Sequence, residues 1–236
     1  MKELKDYLYY EEKNPDIKIY CGDCLEIMPL LPKVDLVVTD PPYGIGFDRE
    51  NLSMSCGMRK DGSQRKYHEW SAPKAVGYKT EDWDSAPPPK EIFDAMFKAS
   101  KDQIIWGGNY FDLPLTGGWL VWDKMVVMPT LSKCELAWTS FLGHIEIKHY
   151  LWAGFRKDRP EERYHPTQKP LQVVKWAIQQ CKYWDTPLTI LDPFGGSGTT
   201  AVACKELKKA CTIIEINEKY CEIARKRLVN TQVPFI

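Results

Sequence analysis

The chain lacks an excess of charge of either sign: 32 Lys and Arg residues balance 32 Asp and Glu, for a formal net charge of zero. Proteins that grip nucleic acid usually carry a basic surplus, so any such contact here must rest on local patches. No run of 18 apolar residues is present, and the opening MKELKDYLYYEEK has no signal-peptide hydrophobic stretch. A cytoplasmic chain with no membrane partner is therefore expected. No GxxxxGKS/T element is present, which excludes a P-loop. The four histidines, His68, His144, His149 and His165, are scattered, and Cys21 and Cys24 have no second pair at zinc spacing. No metal is expected. With no export signal, the eight cysteines read as free, mostly packed thiols.

What is present is a globular composition. At 236 residues, 44% hydrophobic and 27% charged, the chain suits a single α/β domain over 1–236 with a proper core. Apolar runs at 17–20, 34–39, 103–106, 118–122, 134–141, 188–191 and 211–214 read as strands, with one more within 145–155. Helical patterns cover 90–100, the stretch from 169 and 218–229; Leu171, Val174, Ile178 and Cys181 share a face. A further helix follows Gly22-Asp23 and is ended by Pro29 and Pro32, and residues 1–16 read as a polar terminal arm.

Two motifs carry chemistry. In Asp40-Pro41-Pro42-Tyr43, two prolines without N–H donors stop a buried strand and send the chain into a loop at its carboxyl end. Open α/β sheets bind ligands there. Asp40 offers acceptor oxygens and Pro41 a carbonyl, which suits both hydrogens of an exocyclic amine, and Tyr43 offers a ring on which a base can stack. The bland alternative is a strand end whose Tyr packs on the core. The second motif, LTILDPFGGSGTTAVACKEL, is a strand ending at Asp192, a tight turn through Phe194, Gly195, Gly196, Ser197 and Gly198, and a helix opening at Thr199. The next strand ends at Glu215, placed as in nucleotide sites to accept from ribose hydroxyls. An acidic Asp192 beside the turn argues against a phosphate and for a cationic sulfonium, hence S-adenosylmethionine rather than NAD. Upstream, His165-Pro166-Thr167-Gln168-Lys169-Pro170 precedes a helix. Thr167 is the expected N-cap, the helix N-terminus favours a carboxylate, and Lys169 adds charge for it.

These elements resemble those of S-adenosylmethionine-dependent DNA amino-methyltransferases. TDPPYGIGFD is similar to that family's catalytic motif, in which Asp at the first position goes mostly with adenine N6 and Ser mostly with cytosine N4. HPTQKP is similar to the element abutting the methionine part of the cofactor. GDCLEIMPLLP is similar to the element whose Asp approaches the cofactor adenine; Asp23 either does this or caps the helix after it. The resemblance implies a doubly wound, mostly parallel seven-stranded sheet of the Rossmann-like methyltransferase type, circularly permuted so that the catalytic motif comes first. It implies adenine-N6 methylation of double-stranded DNA. The catalytic residues are then Asp40, Pro41, Pro42 and Tyr43, and Asp23, Asp40, Thr167, Lys169, Asp192, Phe194, Gly195, Gly196, Ser197, Gly198, Thr199 and Glu215 hold the cofactor.

For DNA contact, the loop 44–90 is the first candidate. Between 44 and 79 it has seven basic residues against four acidic, interleaved with Tyr67, Trp70 and Tyr78. Arg49, Arg59, Lys60, Arg65 and Lys66 fall there; Lys148, Arg156 and Lys157 fall in a short recognition region at about 143–164. So short a region implies either limited sequence specificity or help from a second subunit, such as a homodimer. The rivals are cytosine-N4 methylation, methylation of an RNA base or protein amide, and an inactive cofactor-binding subunit.

Overall fold

The computed structural model describes residues 2–44, 84, 86–126, 132–153, 156–158, 161–162, 164 and 168–233. In chain order the strands are Leu8–Lys13 (β1), Asp16–Cys21 (β2), Val34–Thr39 (β3), Ser100–Trp106 (β4), Trp119–Asp123 (β5), Cys134–Thr139 (β6), Ile145–His149 (β7), Trp152–Ala153 (β8), Arg156–Lys157 (β9), Thr189–Asp192 (β10) and Ala210–Glu215 (β11). The α-helices are Cys24–Ile27 (α1), Lys90–Ala99 (α2), Leu171–Gln179 (α3), Thr199–Glu206 (α4) and Glu218–Asn230 (α5).

Among the described residues, nine strands form one sheet in the order β1-β2-β11-β10-β3-β4-β6-β5-β7, and β8 pairs with β9 apart from it. The middle is parallel throughout, from β2 to β4. Beyond it β6 runs antiparallel to β4, β5 antiparallel to β6, and β7 parallel to β5. Successive strand residues point to opposite faces, and both faces are covered. Leu36, Ile104, Ile190 and Ile213 join α3, α4 and α5 in one core, while Val37, Ile105, Leu191 and Ile214 join α1 and α2 in the other. That is why these strands read as continuous β-branched runs rather than alternating ones. Each such side chain, fully buried, stabilises the fold by roughly 1.5–3 kcal/mol.

The expected α/β class and mostly parallel sheet are present, but the sheet has nine strands rather than seven. One addition is β1, read from sequence as a terminal arm. It pairs antiparallel with β2 across the turn at Asn14-Pro15. Its side chains do not alternate cleanly between buried and exposed, because backbone pairing, not an apolar face, holds this edge strand. At the other edge, the expected strand within 145–155 divides into β7 and the separate β8. The helix expected to run from Gly22-Asp23 to Pro32 is only one α-helical turn, α1, continued by a 3-10 turn at Met28–Leu30. Among the described residues no helix is long and apolar enough to cross a membrane, and no cluster of His, Cys, Asp or Glu could hold a metal.

Because β2, β11, β10, β3 and β4 run the same way, their carboxyl ends share one rim. Gly22, Glu215, Asp192, Asp40 and Gly107 stand at or just beyond those ends. The first and last parts of the chain meet there: β2 lies beside β11, and the Gly22 N–H donates to the Glu215 carbonyl at 3.0 Å.

Candidate active site

At the end of β3 the prolines do what their chemistry requires and stop the ladder at Thr39. The Thr39 hydroxyl donates to Asp192 Oδ1 at 2.8 Å, tying the two motifs together. Asp40, with 29% of its side chain exposed, accepts from Tyr43 O–H at 2.7 Å and from Lys169 Nζ at 2.7 Å. Lys169 is 7% exposed. Its other two N–H groups point to Glu135 Oε2 at 2.8 Å and Tyr43 Oη at 3.0 Å. The sequence reading assigned Lys169 to a cofactor carboxylate; here its three hydrogens face Asp40, Glu135 and Tyr43. The Tyr43 ring stacks on Tyr110, with centroids 4.9 Å apart and planes 14° apart.

Burial pushes the Asp40 carboxyl above its ordinary value; Lys169 opposes that and Glu135 adds to it. Burial likewise pushes Glu135 up, but the ammonium groups of Lys169 and Lys124 reverse the effect and hold it at about 2. Lys169 is pulled down by burial, yet its carboxylate neighbours raise it well above its ordinary value. The cluster is thus two carboxylates around one ammonium.

The Gly-rich turn is built from three directions. Asp192, 4% exposed, accepts from Phe194 N–H at 3.0 Å and from the Thr200 hydroxyl at 2.6 Å. Burial still raises its carboxyl to about 6, with those donors and Thr39 working against the rise. Gly198 takes φ +80°, and a Cβ there would lie 2.6 Å from the Ala224 Cβ, so the turn can seat on α5 only without a side chain. Buried Arg227 donates to the Ser197 carbonyl at 2.7 Å and to the Ser197 and Thr199 hydroxyls, both at 3.0 Å. The Glu215 carboxylate accepts from Gly196 N–H and Asn217 N–H, each at 2.8 Å. Asp23 caps α1 through Leu25 N–H at 2.8 Å.

All of this borders one cavity of about 470 Å³, within the range of small-molecule sites. Asp23, Asp40, Pro42, Lys169, Asp192, Phe194, Gly195, Gly196, Ser197, Thr199 and Glu215 line it; Pro41, Tyr43 and Gly198 are next to lining residues in the chain but do not line it themselves. Asp23 therefore both caps a helix and faces the cavity. Among the described residues, four carboxylates line the cavity against one ammonium that is already held by two of the protein's own acids. Such a lining suits a cationic ligand with hydroxyl or amino donors and disfavours a phosphate.

The other predicted residues are less gathered. Arg49, Arg59, Lys60, Arg65, Lys66 and Thr167 lie outside the described residues. The cap position of α3 is Pro170, not Thr167, and the Leu171 N–H is accepted by Glu161 at 3.0 Å. Lys148 sits on the edge strand β7, three strands past β4, or roughly 14 Å away at normal strand spacing. Arg156 and Lys157 form one strand of the β8–β9 ribbon.

Sequence reading missed Glu135, Lys124, Tyr110 and Arg227. For Glu135 a signal existed. It falls in the first residues of a strand, Cys134–Thr139, and once that strand is known to run antiparallel to β4, its first residues lie at the rim where β4 ends.

A family model described as DNA methylase matches residues 115–226. The Type II methyltransferase M.ScaI of Streptomyces caespitosus is 28% identical over 261 residues, covering 93% of this chain and 83% of its own. Among solved structures, PvuII DNA methyltransferase (cytosine-N4-specific) superposes with a TM-score of 0.55 at 14% identity, covering 92% of this chain and 88% of that one. The M1.HpyAVI–SAM complex does so with a TM-score of 0.50 at 23% identity, covering 90% of this chain and 99% of that one. At those identities the superpositions establish the fold. The family model and the M.ScaI relative, with the motifs converging on one rim, make the chain similar to the N6/N4 family of DNA methylases.

Proposed function

We propose that the protein methylates N6 of an adenine flipped out of double-stranded DNA, with S-adenosylmethionine as the donor, and that it acts in the cytoplasm. The observation that carries this reading is that Asp40 and the Asp192–Glu215 turn line the same cavity. The cofactor supplies an electrophilic methyl group on a sulfonium. Asp23, Asp192, the Gly195–Gly198 turn and Glu215 would hold it, and their negative charge suits a cation. At the other end Asp40 would accept a hydrogen from the exocyclic amine. That withdraws the nitrogen lone pair from ring delocalisation and opposes the positive charge developing on nitrogen. Holding amine and methyl in line supplies much of the remaining barrier reduction, ~7–11 kcal/mol in favourable cases. Flipping costs a few kcal/mol, offset in part by stacking on Tyr43. The chain order is read as circularly permuted, with β2 beside β11 as the join.

Nucleoside analysis of DNA treated with the protein and labelled S-adenosylmethionine tests the reading directly. N6-methyladenine is expected. N4-methylcytosine would correct the base while leaving the mechanism standing, and label in RNA or protein alone would overturn it.

Asp192 gives a pH prediction. Its folded value of about 6 lies above the ordinary 3.8. Without ligand the group therefore favours the folded state below about pH 4, and that contribution is lost as pH rises through about 6. A cation binds the ionised form better. Affinity for S-adenosylmethionine should therefore rise as pH climbs through about 6 and level off above it. Calorimetric titration between about pH 5 and about pH 7.5 checks this, and Asp192→Asn should flatten the slope.

A further inference from the structure

Behind Asp40 lies a line of charges that the proposed reaction has not yet used. The Glu135 carboxylate receives Lys169 on Oε2 at 2.8 Å and Lys124 on Oε1 at 2.5 Å. Lys169 then reaches Asp40 at 2.7 Å. The order is Lys124, Glu135, Lys169, Asp40. It runs from the end of β5, across β6, to the segment before α3 and back to the loop after β3. Four separate parts of the chain thus bring their charges into one file.

A lone ammonium at 2.7 Å would work against the chemistry assigned to Asp40. It would neutralise the carboxylate and place a positive charge beside an amine that is itself becoming positive. Glu135 changes the sum beside Asp40: its negative charge offsets the Lys169 ammonium, and Lys124, which brings the file of four to zero, stands one group further from Asp40. Glu135 also shares the Lys169 ammonium with Asp40, which leaves Asp40 less tightly bound and a better acceptor. We propose that Glu135 is a positioning residue for methyl transfer: through Lys169 it preserves the acceptor strength and the negative charge of Asp40. The proposal rests on the reading of Asp40 as the acceptor of the target amine. Among the described residues, the charged and titratable groups facing Asp40 are Lys169 from the segment before α3, Tyr43 from its own loop, Glu135 from β6 and Asp192 from β10. Lys124 stands behind Glu135.

The test is kcat against pH, with S-adenosylmethionine saturating so that Asp192's effect on cofactor binding does not enter. In Glu135→Gln, Lys169 acts on Asp40 unopposed. The acid limb should move to lower pH, and kcat on the plateau should fall about tenfold or more, with the KM for S-adenosylmethionine little changed. Lys124→Gln should move the limb the other way, because Glu135 then loses its outer counter-charge. Lys124 lies outside the cavity lining, so that variant keeps the test open if Glu135→Gln fails to fold. Opposite displacements cannot come from loosened packing, which lowers activity without moving a limb. Folded variants with unmoved limbs and unchanged plateaus overturn the role of Glu135. A wild-type protein that transfers no methyl group to DNA overturns the reading of Asp40 instead.

Discussion

Asp40→Ala is expected to lower kcat for methyl transfer by at least about 10²–10³-fold, while S-adenosylmethionine affinity stays within a few-fold. The size follows from what the carboxylate does. On the proposed mechanism it is the acceptor at the rim of the cavity, so its loss would remove both the hydrogen bond that localises the amine lone pair and the nearest negative charge. Cofactor binding should survive, because the turn elements hang on Asp192, Glu215 and Arg227, not on Asp40. Folding should survive too. Removing one member of a buried pair typically costs 3–5 kcal/mol by stranding the other, but Lys169 keeps Glu135 at 2.8 Å. Transfer of labelled methyl groups, run beside a cofactor titration and a thermal melt, separates these effects. A folded Asp40→Ala protein with wild-type turnover would end the mechanism.

Gly107→Ala should have the largest effect on stability. Gly107 takes φ +69°, and a Cβ there would sit 2.2 Å from Tyr43 Cε1 and 2.6 Å from Cδ1 and Cζ. The backbone has little room to yield: its N–H donates to Leu136 O and its carbonyl accepts from Tyr110 N–H, both at 2.8 Å. The Tyr43 ring must therefore move, which breaks its stack on Tyr110 and its bond to Asp40. The left-handed backbone costs about 1–2 kcal/mol for a residue with a Cβ, and overpacking adds about 1–3 kcal/mol. A fall in Tm of roughly 5–15 °C is expected, together with a loss of turnover, since the displaced ring belongs to the motif proposed to be catalytic. Gly143→Ala is the control. No atom lies within 4 Å of its added Cβ, so its Tm should hardly change. Equal melting of the two variants would show that Gly107 is not packed as described.

How far the site was legible beforehand depended on how its parts are encoded. Asp40 could be placed at a strand end because two prolines forbid the ladder from continuing. The Asp192 turn could be placed because glycines before a helix and an acid ending the next strand leave few alternatives. Both are local signals. Lys169 shows the limit. Its motif was visible, yet its partners were misjudged, because a lysine's reach is set by which carboxylates the fold brings near it. Glu135 sits 95 positions from Asp40 in the sequence, and nothing in CELAWTSF says which strand it will lie beside. β1 was missed for a related reason: an edge strand needs a partner's backbone more than an apolar face of its own.

The sequence alone determined the α/β class, the strand ends that carry chemistry and the acidic character of the ligand rim, since short-range sterics and residue type suffice for these. Only the tertiary structure decided that the two motifs share one cavity, that Tyr43 lies over Gly107, and that Lys169 is held between Asp40 and Glu135. Those facts depend on long-range strand order, and buried charges choose their partners only once packing has removed the water that would otherwise solvate them.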